Sequence, residues 1–281
     1  LHAGRVFVGT GDQHGDEPRH RSGRGDAVQE IPPLPEDDLK VSGEEDPRSF
    51  LRGLAGDFAQ AFLAWGGGAA VVAIALLLQI AYWYFGAPGP GAPREPVGAI
   101  RSVLWAVALF GIIPLLLARP LGLRLPDLGL GPGARGPRTA TIWGLLLVVP
   151  IAWFASGNGA IADTYPWPGP WAGSSLLAFV SWAFVYSLYY IAYEFFYRGF
   201  LLGGLAPMLG TRGALWLQTV MSTMLHLGKP LAETLAALPA GILFGVLVLR
   251  TRSLAPAILI HLALGVATDF FSLLRGGGFG L

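Results

Sequence analysis

The sequence predicts an all-α polytopic membrane protein, a bundle of seven or eight transmembrane helices behind a polar N-terminal tail. Three observations carry this. Of 281 residues, 53% are hydrophobic and 13% charged, and mean hydropathy is +0.54, whereas a soluble domain carries roughly 25% charged residues. The charge is segregated: twelve of the 18 acidic and seven of the 19 basic residues precede residue 58, leaving six acids and twelve bases for the rest. Beyond that point come repeated apolar runs near the length of about 20 residues that a membrane helix requires. Continuous runs of this kind satisfy their backbone groups in lipid as helices.

Taken in order, residues 1–57 form the tail. Leu1–Asp57 is rich in Gly, Asp, Glu, Arg and Pro, carries "EIPPLPEDD" and has neither a strand nor a helix period. Such a segment buries too little apolar area to offset ordering, so it reads as disordered or as an extended partner-binding arm in which "IPPLP" docks. It contains no apolar run of the signal-peptide kind. Residues 58–275 form the membrane domain, with spans predicted at Phe58–Phe85, Ile100–Ala118, Thr139–Ala155, Leu176–Tyr197, Ala214–Leu227, Leu235–Leu249 and Leu254–Leu274. The fifth and sixth are short, as helices lining an internal cavity are. Tyr82, Trp83, Tyr84, Trp167 and Trp171 cluster near span ends, where interfacial aromatics sit. Residues 276–281 are a short C-terminal tail.

Several function classes drop out. A net charge of +1 without a dense basic patch gives no nucleic-acid partner, and the absence of cysteine excludes disulfides, thiolate nucleophiles and Cys-ligated metals. No inverted repeat with paired broken helices supports a transporter. The partners expected are the lipid bilayer and a peptide or membrane protein. Orientation follows from the loops. Arg119, Arg124, Arg135 and Arg138 follow the second span and Arg250 and Arg252 the sixth, while Ser156–Ser175 has no Arg or Lys. The positive-inside rule then places the N-terminal tail in the cytoplasm. Richness in Gly, Ala and Arg suggests a bacterium with a GC-rich genome, and hence its inner membrane.

The chemistry is expected where ionisable groups fall inside apolar spans. Glu194 and Arg198 stand four apart in "YEFFYRGF"; His226 ends "MSTMLHL", and His261 and Asp269 lie in the last span. Unpaired charges there cost several kcal/mol, which makes them functional candidates. Glu194–Arg198 also reads as a structural i,i+4 ion pair, a lone His as a hydrogen-bonded core residue, and Asp269 as a local partner of His261. Together, a carboxylate and two imidazoles from three helices are the parts needed to activate water, through Glu as general base or through a bound divalent metal such as zinc held by Glu194, His226 and His261. For these groups to share one depth, the fourth helix has to run through Arg198 to about Leu205, with Pro207 and Gly210 marking the turn.

"YEFFYRGFLL" at 193–202, "MSTMLHL" at 221–227 and "GILFGVLVLRTRSLAPAILIHLALG" at 241–265 resemble the three ordered motifs of the CAAX protease and bacteriocin-processing (CPBP) family, with "LRLPDLGLGPG" at 123–133 in support. The resemblance spans about residues 170–272. It implies an intramembrane endopeptidase with Glu194, Arg198, His226 and His261 as catalytic residues. Three motif positions depart from the pattern: Tyr193 stands for the first Glu, Ser222 for a Phe, and Gly265 for the Asn of the last motif. In the family that Glu is the residue usually assigned to activating water, and the Asn is thought to help hold the oxyanion. A phenol with a pKa of about 10 is a poor base, and Gly265 has no side-chain donor. Glu194 could take over as base, or Tyr193 could donate to an oxyanion. The alternative is a catalytically silent relative acting as a membrane scaffold, chaperone or subunit of a larger membrane assembly.

Overall fold

The computed structural model describes residues 47–64, 66–88, 94–131 and 137–280; the predicted character of residues 1–46 lies outside these. Among the described residues every regular element is helical and none is a strand. Helix α1 (Pro47–Ala64) starts within the segment read as tail, and residues 48–57 are exposed. Six helices among the described residues are long and apolar enough to cross a membrane: α2 (Gly67–Gly86), α3 (Pro96–Ala118), α4 (Arg138–Ala155), α5 (Leu176–Met224), α6 (Leu231–Thr251) and α7 (Ala255–Arg275). The chain is an integral membrane protein of the all-α polytopic class.

The predicted fourth span and most of the fifth fall inside α5, whose 49 residues would reach about 74 Å if straight, over twice the roughly 30 Å hydrocarbon layer. It is not straight. Gly210 adopts φ 68° and ψ 161°, outside the helical region, and Pro207 lacks an N–H three residues earlier. Only glycine takes that backbone without a steric cost. The second arm, 211–224, returns along the first: Tyr193 Oη donates to Ser222 O at 3.4 Å. Glu194 and the turn carrying His226 are thereby brought toward one depth.

The first arm of α5 is the axis of the core. Phe196, Tyr197, Phe200, Leu201 and Leu205 are fully buried, and Phe110 of α3 stacks on Phe196 at 4.6 Å. Between Phe195 and Leu201 the arm widens into a π-helical turn, all seven of whose residues are buried. Such turns insert one residue into an α-helix and occur often at functional sites. The turn Leu125–Leu128 closes against this arm across two glycines. A Cβ on Gly199 would lie 2.9 Å from Leu128 O, and one on Gly203 would lie 2.6 Å from Asp127 O. Gly129 (φ 77°) then bonds through its carbonyl to Leu254 N–H at 3.1 Å, fastening the α3–α4 connection to the start of α7.

Candidate functional site

Glu194 is the last residue before the π-turn and Arg198 lies inside it, so both point from one face of α5 into the bundle. Their side chains are 0% and 2% exposed, and Arg198 Nε lies 3.3 Å from Glu194 Oε2. His261, on α7, brings Nδ1 to 2.6 Å from Glu194 Oε1. The carboxylate is therefore hydrogen-bonded across the bundle through Oε1 and faces a cation of its own helix at Oε2. The guanidinium carbon also faces three aromatic rings, 5.4 Å from Tyr193, 5.6 Å from Phe244 and 5.9 Å from Tyr197. Cation–π attraction in a dry environment helps offset its desolvation.

His226 takes another position. It sits in the turn after α5, where Nδ1 lies 2.9 Å from Ser222 O. A carbonyl only accepts, so Nδ1 carries the hydrogen and Nε2 the lone pair. Burial, with Lys229 beside it, pushes the His226 pKa down to about 3, so the imidazole is neutral at pH 7. Tyr193 stands next to both imidazoles, its ring 5.2 Å from His261 and 6.2 Å from His226. Its hydroxyl and His226 converge on one acceptor, Ser222 O.

Of the four residues expected from the sequence, Glu194, Arg198 and His261 meet directly, and His226 lies on the far side of Tyr193. The residues present do not fit a metal. Glu194 Oε1 is paired with His261, Oε2 lies 3.3 Å from Arg198 Nε, His226 Nδ1 is committed to Ser222, and no three His, Asp or Glu among the described residues are grouped to hold an ion. Asp269 does not pair with His261. Its Oδ2 accepts from Trp182 Nε1 at 2.6 Å and its Oδ1 from Trp167 N at 3.2 Å, tying the α4–α5 connection to α5 and α7.

Sequence reasoning missed Tyr190 and Phe244. Tyr190 packs on His261 with ring centroids 4.6 Å apart, and Phe244 flanks the same imidazole at 5.2 Å. A Cβ on Gly265 would lie 2.6 Å from Tyr190 Cζ and collide with its hydroxyl, so the phenol fills the space a side chain at 265 would need. The available signal was the row Tyr186, Tyr189, Tyr190, Tyr193 and Tyr197, phenols at helical spacing in an apolar helix. Sequence reasoning also missed the cluster beside His226. There Lys229 Nζ is 2.8 Å from Glu233 Oε1 and donates to Tyr165 Oη at 3.2 Å, while Tyr165 Oη donates to Glu233 at 2.8 Å.

Residues 173–267 match the family model described as type II CAAX prenyl endopeptidase Rce1-like. The match is consistent with the resemblance to the CPBP family. No curated protein and no solved structure gives a match. The matched segment begins just before α5 and ends within α7, so it encloses Glu194, Arg198, His226 and His261 together with Tyr193, Ser222 and Gly265.

Proposed function

We propose that the chain is a CPBP-type intramembrane peptidase in which His261, backed by Glu194, takes the proton from the attacking water. One observation carries this reading. His261 Nδ1 lies 2.6 Å from Glu194 Oε1, while its Nε2 makes no hydrogen bond among the described residues. Glu194 accepts the Nδ1–H and so fixes the tautomer that leaves the lone pair on Nε2, the division of labour of a carboxylate–imidazole pair. Arg198, 3.3 Å from the second carboxylate oxygen, balances the charge of Glu194. Water gives a proton to Nε2 as its oxygen bonds to the peptide carbonyl carbon. The same proton then passes from Nε2 to the departing amine nitrogen as the C–N bond breaks. His226, neutral and with its own Nε2 lone pair, positions substrate on the other side of Tyr193. The substrate is a peptide or membrane protein entering from the bilayer of a bacterial inner membrane, and the Arg-bearing loops support an orientation with the N-terminal side in the cytoplasm.

The test is cleavage of a peptide library by purified protein in lipid vesicles, read by mass spectrometry. Cleavage by the wild-type chain and its loss in folded His261→Ala support the reading. A second reading, a silent scaffold or assembly subunit, is favoured by the full burial of Glu194 and by Tyr193 in place of a carboxylate. Absence of cleavage by folded wild-type protein would establish that one instead.

A further inference from the structure

Arg198 also lines an open cleft of about 440 Å³ that the peptidase reading does not use. Its charged lining comes from three elements: Arg198 from α5, Arg252 from the α6–α7 connection and Asp127 from the turn after α3. Gly129 contributes to the rim, and Leu202 and Val248 to the apolar wall. Arg198 is 2% exposed, yet its Nη1 has no hydrogen-bond partner, and its Nε meets Glu194 only at ion-pair distance without an aligned hydrogen bond. A buried guanidinium with unmade hydrogen bonds is costly, since each unsatisfied donor forfeits its hydration. Arg252 is exposed and held in the left-handed region, φ 51°, by its N–H to Val248 O at 2.7 Å. The lining carboxylate, Asp127, has Arg124 at 3.9 Å and Arg198 has Glu194 at 3.3 Å, so Arg252 supplies the charge left unbalanced.

We propose that this cavity binds a phosphate oxyanion between Arg198 and Arg252. Guanidinium groups match phosphate because their N–H pairs lie in a planar fork that meets two oxygens at once. One deep and one rim arginine suit a phosphate with its charge toward the interior and its substituent toward the mouth. Arg119, Arg124 and Arg252 belong to the α3–α4 and α6–α7 connections and Arg250 to the last turn of α6, the level at which headgroup phosphates lie when such loops face the cytoplasm. The phosphate is therefore borne by a lipid headgroup or is free in solution. Either source shares Arg198 with Glu194, which links occupancy of the cavity to the carboxylate backing His261.

The experiment uses the full chain in detergent. Inorganic phosphate is expected to raise the melting temperature above that in chloride of equal ionic strength. Arg252→Asn, which removes the charge and suits the left-handed backbone, is expected to weaken that response about ten-fold. Arg198→Gln is expected to abolish it if the variant folds; the Arg252→Asn arm decides the matter if it does not. Native mass spectrometry separates the sources. Co-purified anionic phospholipid, lost in Arg252→Asn, identifies a headgroup, and a phosphate response without retained lipid identifies free phosphate. The proposal is overturned if phosphate acts no differently from chloride, if Arg252→Asn responds as the wild type does, or if a peptide C-terminal carboxylate stabilises the protein better than phosphate.

Discussion

Placing a side chain at Gly265 tests whether Tyr190 has taken the space next to His261. The added Cβ would lie 2.6 Å from Tyr190 Cζ and 2.8 Å from Cε2, and would overlap the hydroxyl. Tyr190 cannot swing aside freely, because its ring packs on His261 and Tyr186 at 4.6 and 4.7 Å and its hydroxyl donates to Tyr186 Oη at 3.0 Å. Overpacking of this kind costs about 3 kcal/mol at the upper end of the usual range. Replacing a helical glycine by alanine returns about 1 kcal/mol, so Gly265→Ala is expected to lose about 2 kcal/mol. At 2–4 °C per kcal/mol for a chain of this size, that is a fall of roughly 6 °C in melting temperature. Gly265→Asn, the residue the family pattern would supply, should fall further. Tyr190→Leu removes the obstacle, so in a double-mutant cycle Gly265→Ala should cost at least 1 kcal/mol less on the Tyr190→Leu background than on the wild type. Thermal melts of the four proteins in one detergent decide it. A coupling within about 0.5 kcal/mol of zero would refute the claim that these two positions compete for one space.

The remaining expectations concern the neighbouring polar contacts. Asp269→Leu leaves the Trp182 indole N–H and the Trp167 backbone N–H unpaired, at a cost of about 3 kcal/mol, and should open the connection 163–175 to proteolysis; unchanged protease resistance would show that Asp269 does not hold it. The His226 pKa is lowered in the folded chain from 6.5 to about 3, chiefly by burial and then by Lys229. The unfolded chain therefore binds the extra proton first as pH falls, so this group's stabilising contribution is complete above about 6.5 and is lost progressively toward 3. Melting temperature between pH 7 and 5 should accordingly fall less steeply in His226→Gln than in the wild type, with Glu233 and Lys229 unchanged in both; parallel curves would exclude His226 as the source.

Much of the fold was legible because lipid leaves helices few alternatives. The seven predicted runs fall on six helices, the fourth and fifth sharing α5 and the first starting later than expected, at Gly67, and Pro207 with Gly210 announced the break in α5. The start of α1 was not legible, since "PRSFLRGLAGDF" is too short and mixed in character to outweigh the polar segment before it. In the site, Glu194, Arg198 and His261 were legible as ionisable groups with no other reason to sit in apolar spans. Their pairing was not, because i,i+4 spacing finds Glu194–Arg198 but no local rule finds a partner 67 residues away. Asp269 was assigned to His261 on the same local logic, yet its partners are 87 and 102 residues distant in sequence. Tyr190 was hidden for a different reason. Its importance comes from what Gly265 lacks, and a missing side chain has no pattern of its own.

The opposite signs of Glu194 and Arg198 bear on why they persist. A buried ion pair is weak evidence for stability, because well-packed apolar residues of similar volume often serve as well or better. This pair is also imperfectly bonded, with Arg198 Nε misaligned to Glu194 and Nη1 unpartnered. A purely structural pair gains nothing from leaving donors unmade. The geometry makes sense if both groups face two ways, Glu194 between Arg198 and His261, and Arg198 between Glu194 and the cavity. Each then does work that a pair of leucines could not, one by holding an imidazole tautomer and the other by offering a buried cation to an anion from outside the site.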